Sequence, residues 1–103
     1  GRDNAEAVAY FGWTLALITR QNPDQTQAAE RYDAARLALA QAIEIEPDYA
    51  DPYCFLAIVD YQFLDDAEAA LPNIERCEAS NPPGDVASLV ASFAVEIRDA
   101  AGP

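Results

Sequence analysis

The chain has 103 residues, enough for one domain around one hydrophobic core. Half of it is hydrophobic, alanine is abundant and β-branched runs are scarce, which favours close-packed helices over a sheet. Eighteen acidic residues against six basic ones leave a net charge of −12, which repels nucleic-acid phosphates and anionic membranes and favours basic or neutral partners.

The basic residues are all Arg, and the chain contains no Lys, His or Met. Starting at Gly1, it reads as a fragment or a processed product. No apolar run approaches the ~20 residues that a membrane span needs, although an anchor could precede this stretch.

Five helices are expected in chain order. The first spans about Asn4 to Arg20, with Asn4 as its N-cap and Glu6 near its positive end. Its apolar stripe is Val8, Phe11, Gly12, Leu15 and Ile18. Trp13, Ala16 and Leu17 widen the apolar surface, so the helix should be covered on two sides or face a groove. Asn22-Pro23-Asp24 breaks the chain. The second helix follows from about Gln27 to Glu46, burying Tyr32, Ala35, Leu39, Ala42 and Ile43.

Pro47-Asp48 ends that helix, and Asp51 is expected to cap the third, with Pro52 at its first position. Helix three runs to about Phe63 and carries Tyr53, Leu56, Ala57 and Val59. Asp60, a charged residue next to Tyr61 in this apolar helix, implies either a slight rotation of the helix or a specific partner. Leu64-Asp65-Asp66 forms a turn and a cap for helix four, about Asp66 to Ser80, which Pro72 should bend. Asn81-Pro82-Pro83-Gly84 is a stop. Helix five, Asp85 to about Ala100, is expected to use Asp85 as its cap and Val86, Leu89, Val90, Phe93 and Ile97 as its apolar face.

Two helix-ending prolines, Pro47 and Pro82, stand 35 residues apart. Small and bulky residues recur before each: Ala35, Leu39 and Ala42, then Ala70, Ile74 and Cys77. Such a spacing marks a helix–turn–helix repeat with a period near 34. Together with the Phe11-Gly12 pair, this stretch resembles a tetratricopeptide repeat (TPR). Gly12 and Ala35 are 23 residues apart, farther than the family's usual spacing, so the first repeat is atypical. The resemblance implies an all-α fold of about two TPR-like antiparallel helix pairs plus a C-terminal capping helix. The chain is then one domain, 1–103, with helix pairs 4–46 and 50–80 and a capping helix 85–100.

Three segments carry a narrower resemblance: AYFGWTLALI, AIEIEPDYADPYCFLAIV and DDAEAALPNIERCEASNPPGD. They look like the TPR domain of membrane-anchored bacterial cytochrome c biogenesis proteins. That resemblance implies an extracytoplasmic location and a role in delivering apocytochrome c to the haem-ligation machinery. A cytoplasmic TPR scaffold, or a self-assembling domain that forms a homodimer, is the alternative.

The residues offer little for catalysis. There is no His or Lys base, no nucleophile with a partner and no Gly-rich phosphate loop. Asp65-Asp66 fits helix capping better than acid–base chemistry. No calcium-loop pattern occurs, and no cofactor or metal is expected. Antiparallel packing would bring Cys54 and Cys77 near each other; a disulfide is conceivable, but two free buried thiols are the expected state.

In the TPR family the first helix of each pair lines a concave binding surface. Carried onto this chain, that surface takes Ala9, Trp13, Ala16 and Leu17 from helix one. From helix three it takes Asp51, Cys54, Ile58, Tyr61 and Gln62. It would be an apolar-aromatic groove with an acidic edge, suited to a helical or extended segment with basic flanks. Packing of Trp13 and Ile58 on neighbouring helices is the structural alternative. A carboxylate clamp is disfavoured, because Lys is absent and Arg is sparse on these faces.

Overall fold

The computed structural model describes residues 1–102. The fold is all-α, with five helices among the described residues: α1 Arg2–Gln21, α2 Ala28–Ile45, α3 Asp51–Ile58, α4 Ala67–Ala79 and α5 Gly84–Ala101. α3 runs on into a π-helical turn, Val59–Phe63. The chain groups into two compact units, Gly1–Pro47 and a second beginning at Asp48.

The first unit is the α1/α2 hairpin. Its connection is short because side chains build it. Asn22 Oδ1 accepts from the Asp24 N–H at 3.0 Å, and Asp24 Oδ1 accepts from the Thr26 N–H at 3.0 Å. The Thr26 N–H bond holds the Asp24 carboxyl below its ordinary value, with the Thr26 hydroxyl adding to the effect. Gln25 donates its amide to the Thr19 carbonyl at 2.9 Å, beside the Asn22 N–H that the same oxygen accepts at 3.3 Å where α1 ends.

The face by which α1 meets α2 differs from the expected stripe. Ala5, Ala9, Gly12, Ala16 and Thr19 are buried, whereas Phe11 is 64% and Ile18 58% exposed. Small residues win this face because they let the backbones come close. A Cβ placed on Gly12 would lie 2.8 Å from the Ala35 carbonyl oxygen and 3.1 Å from both Ala38 Cβ and Leu39 Cγ. Bulkier residues there would hold the helices apart and forfeit the contacts of the whole interface. Opposite, α2 buries Tyr32, Ala35, Ala38, Leu39 and Ala42, close to expectation, with Ile43 only half-buried. α1 also begins at Arg2, so Asn4 lies inside the helix and is not its cap.

The second unit packs α3 against α4 and sets α5 on both. α3 and α4 are antiparallel: residue 54 pairs with 77 near one end, and 60 with 73 farther along. All eight residues of α3 are buried. Ala50 is its N-cap, and Asp51 stands in the first turn with Pro52 beside it, one position later than expected. α4 starts as expected, with Asp66 Oδ1 accepting from the Ala69 N–H at 3.1 Å. Asp65 takes the left-handed backbone (φ 54°) that lets the chain turn between them. α4 buries Ala70, Ile74 and Cys77 and contains Pro72, which can donate no ladder bond. α5 is capped by Pro83, and Asp85 falls in its first turn, favourable to the helix dipole but not a cap. Its buried line is Val86, Val90, Ala94 and Ile97; Leu89 is 41% exposed and Phe93 half-buried.

Candidate functional site

The most informative cluster lies where α3 widens into its π turn. A π turn adds a residue to the coil and changes which side chains face inward. Here Asp60 is 1% exposed, and its Oδ2 accepts from the Asn73 amide of α4 at 3.2 Å. Of the two explanations offered for this position, the specific partner is present, and the helix is π-helical where Asp60 sits. The turn then closes through the Asp60 carbonyl, which accepts from the Asp66 N–H at 2.8 Å. One residue on, Tyr61 emerges half-buried and donates its hydroxyl to Glu96 Oε1 of α5 at 3.1 Å. Its ring meets Phe93 edge-on, centroids 6.3 Å apart. The bond to Glu96 raises the Tyr61 pKa above its ordinary value of 10.0, since ionisation would break it and set two negative charges together. Gln62, next in the chain, is exposed.

At the other end of α3, Cys54 and Cys77 are joined in a disulfide, with both residues 0% exposed. The expectation of two free thiols is therefore corrected. Cys77 does occupy the buried helix-contact position, but Cys54, one turn into α3, faces it rather than a neighbouring groove. Nearby, the half-exposed Arg76 lies over the ring of the buried Tyr53 at 5.4 Å, a cation–π contact, and approaches Asp48 at 4.0 Å. Glu78 and Arg98 form a bidentate pair between α4 and α5. Arg98 holds the Glu78 carboxyl below its ordinary range, and Glu78 in turn raises Arg98.

The residues assigned to a binding groove separate by exposure. Ala9 and Ala16 are fully buried on the α2 side of α1, so they line no open surface. Trp13 and Leu17 are half-buried in the first unit. In the second unit, Asp51 and Ile58 are 3% and 2% exposed, and Asp51 Oδ2 accepts from the Tyr49 hydroxyl at 2.9 Å. Cys54 is committed to the disulfide. Tyr61 and Gln62 keep accessible surface.

Sequence reasoning did not single out Asn73, Glu96 or Arg98, whose roles depend on helices that meet only in space. The small face of α1 did leave a signal. Ala5, Ala9, Gly12 and Ala16 recur at spacings of four, three and four, a stripe of small residues more continuous than the bulky one.

Among the described residues, no group of three or more His, Cys, Asp or Glu side chains is arranged to hold a metal ion. No helix among them is long and apolar enough to cross a membrane. Fold and site together define an all-α protein of helix hairpins, one of them stapled by a buried disulfide. No protein-family model, curated protein or solved structure matches the chain.

Proposed function

We propose that this chain is a non-catalytic protein-interaction module, an extracytoplasmic TPR domain of a cytochrome c biogenesis factor that binds apocytochrome c or a haem-ligation partner. The observation that carries this reading is the buried Cys54–Cys77 disulfide. Disulfides form and persist in oxidising compartments and are rare where thioredoxin and glutathione keep thiols reduced, so the staple suits a domain outside the cytoplasm. Helices that pack through Gly12 and Ala35, and through Ala70, Ile74 and Cys77, agree with the small-and-bulky wording that carried the TPR resemblance.

The non-catalytic part of the reading rests on side chains already engaged. Asp66 caps α4, Asp60 is held by Asn73, and Glu78 is paired with Arg98. The chain has no His or Lys to act as a base near neutral pH. Tyr61 and Gln62 offer a rigid aromatic contact and an adaptable polar one, a combination common at protein-binding surfaces.

The test is a titration with peptides from the C-terminal helix of a c-type apocytochrome. Binding is followed by calorimetry and by the fluorescence of Trp13, the chain's one tryptophan. Saturable binding, weakened tenfold or more by Tyr61→Ala with Gln62→Ala, supports the proposal. Absence of binding in both assays sinks it. A mass that rises with protein concentration would favour a self-assembling domain instead.

A further inference from the structure

Tyr61 leaves the π turn of α3 and reaches across to α5, which holds its side chain at two points. Its ring meets Phe93 edge-on, centroids 6.3 Å apart, and its hydroxyl donates to Glu96 Oε1 at 3.1 Å. Phe93 and Glu96 are three residues apart on α5, so they lie on one face of that helix. A tyrosine side chain turns about two bonds, and contacts at the ring and at the hydroxyl together restrict both. The backbone beneath is fixed as well, because the preceding residue, Asp60, is bonded to Asn73 of α4. Two successive residues of the π turn are thus tied to two different helices. The Tyr61–Glu96 bond is open to solvent, so water competes for it and its net worth to stability is small. What it does is select an orientation for a ring that remains half-exposed.

We propose that Glu96 is a positioning residue, acting with Phe93 to hold the Tyr61 ring in one orientation for a protein partner. The inference rests on the reading of Tyr61 as a partner contact, and it gives α5 a part in binding beyond covering α3 and α4. A side chain that is ordered beforehand loses no rotamer freedom when the partner arrives. For one such side chain the difference is about two- to tenfold in affinity. The acceptor at position 96 matters more than its charge. A side-chain amide oxygen in the same place would receive the Tyr61 hydroxyl as well. A side chain with no acceptor would release the hydroxyl and leave the ring only the edge of Phe93.

The experiment uses the whole chain with Glu96→Ala, Glu96→Gln and Tyr61→Ala, and the last combined with Glu96→Ala. Motion of the Tyr61 ring is read without ligand, by NMR relaxation of its aromatic carbons. Affinity is read by calorimetry with the peptide from the C-terminal helix of a c-type apocytochrome. Glu96→Ala should loosen the ring and weaken the peptide about two- to tenfold, while the urea midpoint stays unchanged. Glu96→Gln keeps an acceptor and should restore both. In the Tyr61→Ala background, Glu96→Ala should have no further effect on affinity, because no ring is left to position. A merely structural role would instead lower the urea midpoint and act in both backgrounds. A ring equally ordered without Glu96, unchanged affinity despite a loosened ring, a Gln variant as weak as the Ala variant, or a loss that persists with Tyr61→Ala would each overturn the inference. Failure of the parent to bind the peptide sinks the biogenesis reading instead. The ring measurement needs no ligand and still decides whether Glu96 holds Tyr61.

Discussion

Cys54, in the first turn of α3, is bonded to Cys77, near the end of α4, across Cα atoms 4.9 Å apart. The bond ties the open ends of an antiparallel pair whose other ends are already joined by the chain. It closes a loop with a sequence separation of 23. A loop of this size is worth about 3 kcal/mol through the unfolded state. Cys54→Ala with Cys77→Ala should lower stability by about that amount, read from urea unfolding. Because both cysteines are fully buried, reductant without denaturant should act only as the unit opens. Alkylation after mild reduction, read by mass spectrometry, should find few free thiols. Rapid labelling of both would contradict the buried staple.

Gly12 tests the close approach of α1 and α2. In an exposed helix, Gly→Ala gains about 1 kcal/mol. Here the new methyl would press on the Ala35 carbonyl oxygen, a backbone atom that cannot swing away. Overpacking of this kind costs about 1–3 kcal/mol, so Gly12→Ala should be net destabilising or at best neutral. Chemical denaturation decides it, and a clear gain in stability would mean that the helices are not held so close.

Asn73 supports Asp60 from across the α3/α4 contact. Asn73→Ala removes that donor from a buried carboxylate and should cost about 1–3 kcal/mol. Asn73→Asp should cost more, since it sets a second carboxylate beside the first. Equal stability of the two variants at neutral pH would show that the contact carries little charge-dependent energy.

The Glu78–Arg98 pair makes a pH prediction. Arg98 lowers the folded-state pKa of Glu78 below its ordinary 4.5, so the unfolded chain takes up the proton first as pH falls. The pair's contribution is therefore full above the unfolded pKa and fades as pH drops through the folded one. Both side chains are 45% exposed, which keeps the contribution below about 1 kcal/mol. Glu78→Gln should be slightly less stable than the parent at pH 7, and the gap should narrow as pH falls below 4.5 and through the lowered folded-state pKa. A gap that does not narrow at all with acid would point to packing rather than charge.

Much of the backbone was legible because its signals are local. Asn22-Pro23-Asp24, Pro47 and Asn81-Pro82-Pro83 stop helices by covalent geometry, and Asp66 caps α4 through a bond three residues long. These features need no knowledge of what lies across the fold, and they place five helices within a few residues of their ends. Only the tertiary structure decided which faces meet. On α1 the bulky stripe looked like the core, yet the helix buries its alanines and Gly12 and leaves Phe11 and Ile18 open. Closeness of approach, a property of two helices together, outweighed the hydrophobicity of one. The same holds for Cys54 with Cys77 and Asp60 with Asn73: each residue carries its chemistry in the sequence, but its partner is chosen by the antiparallel register of α3 and α4.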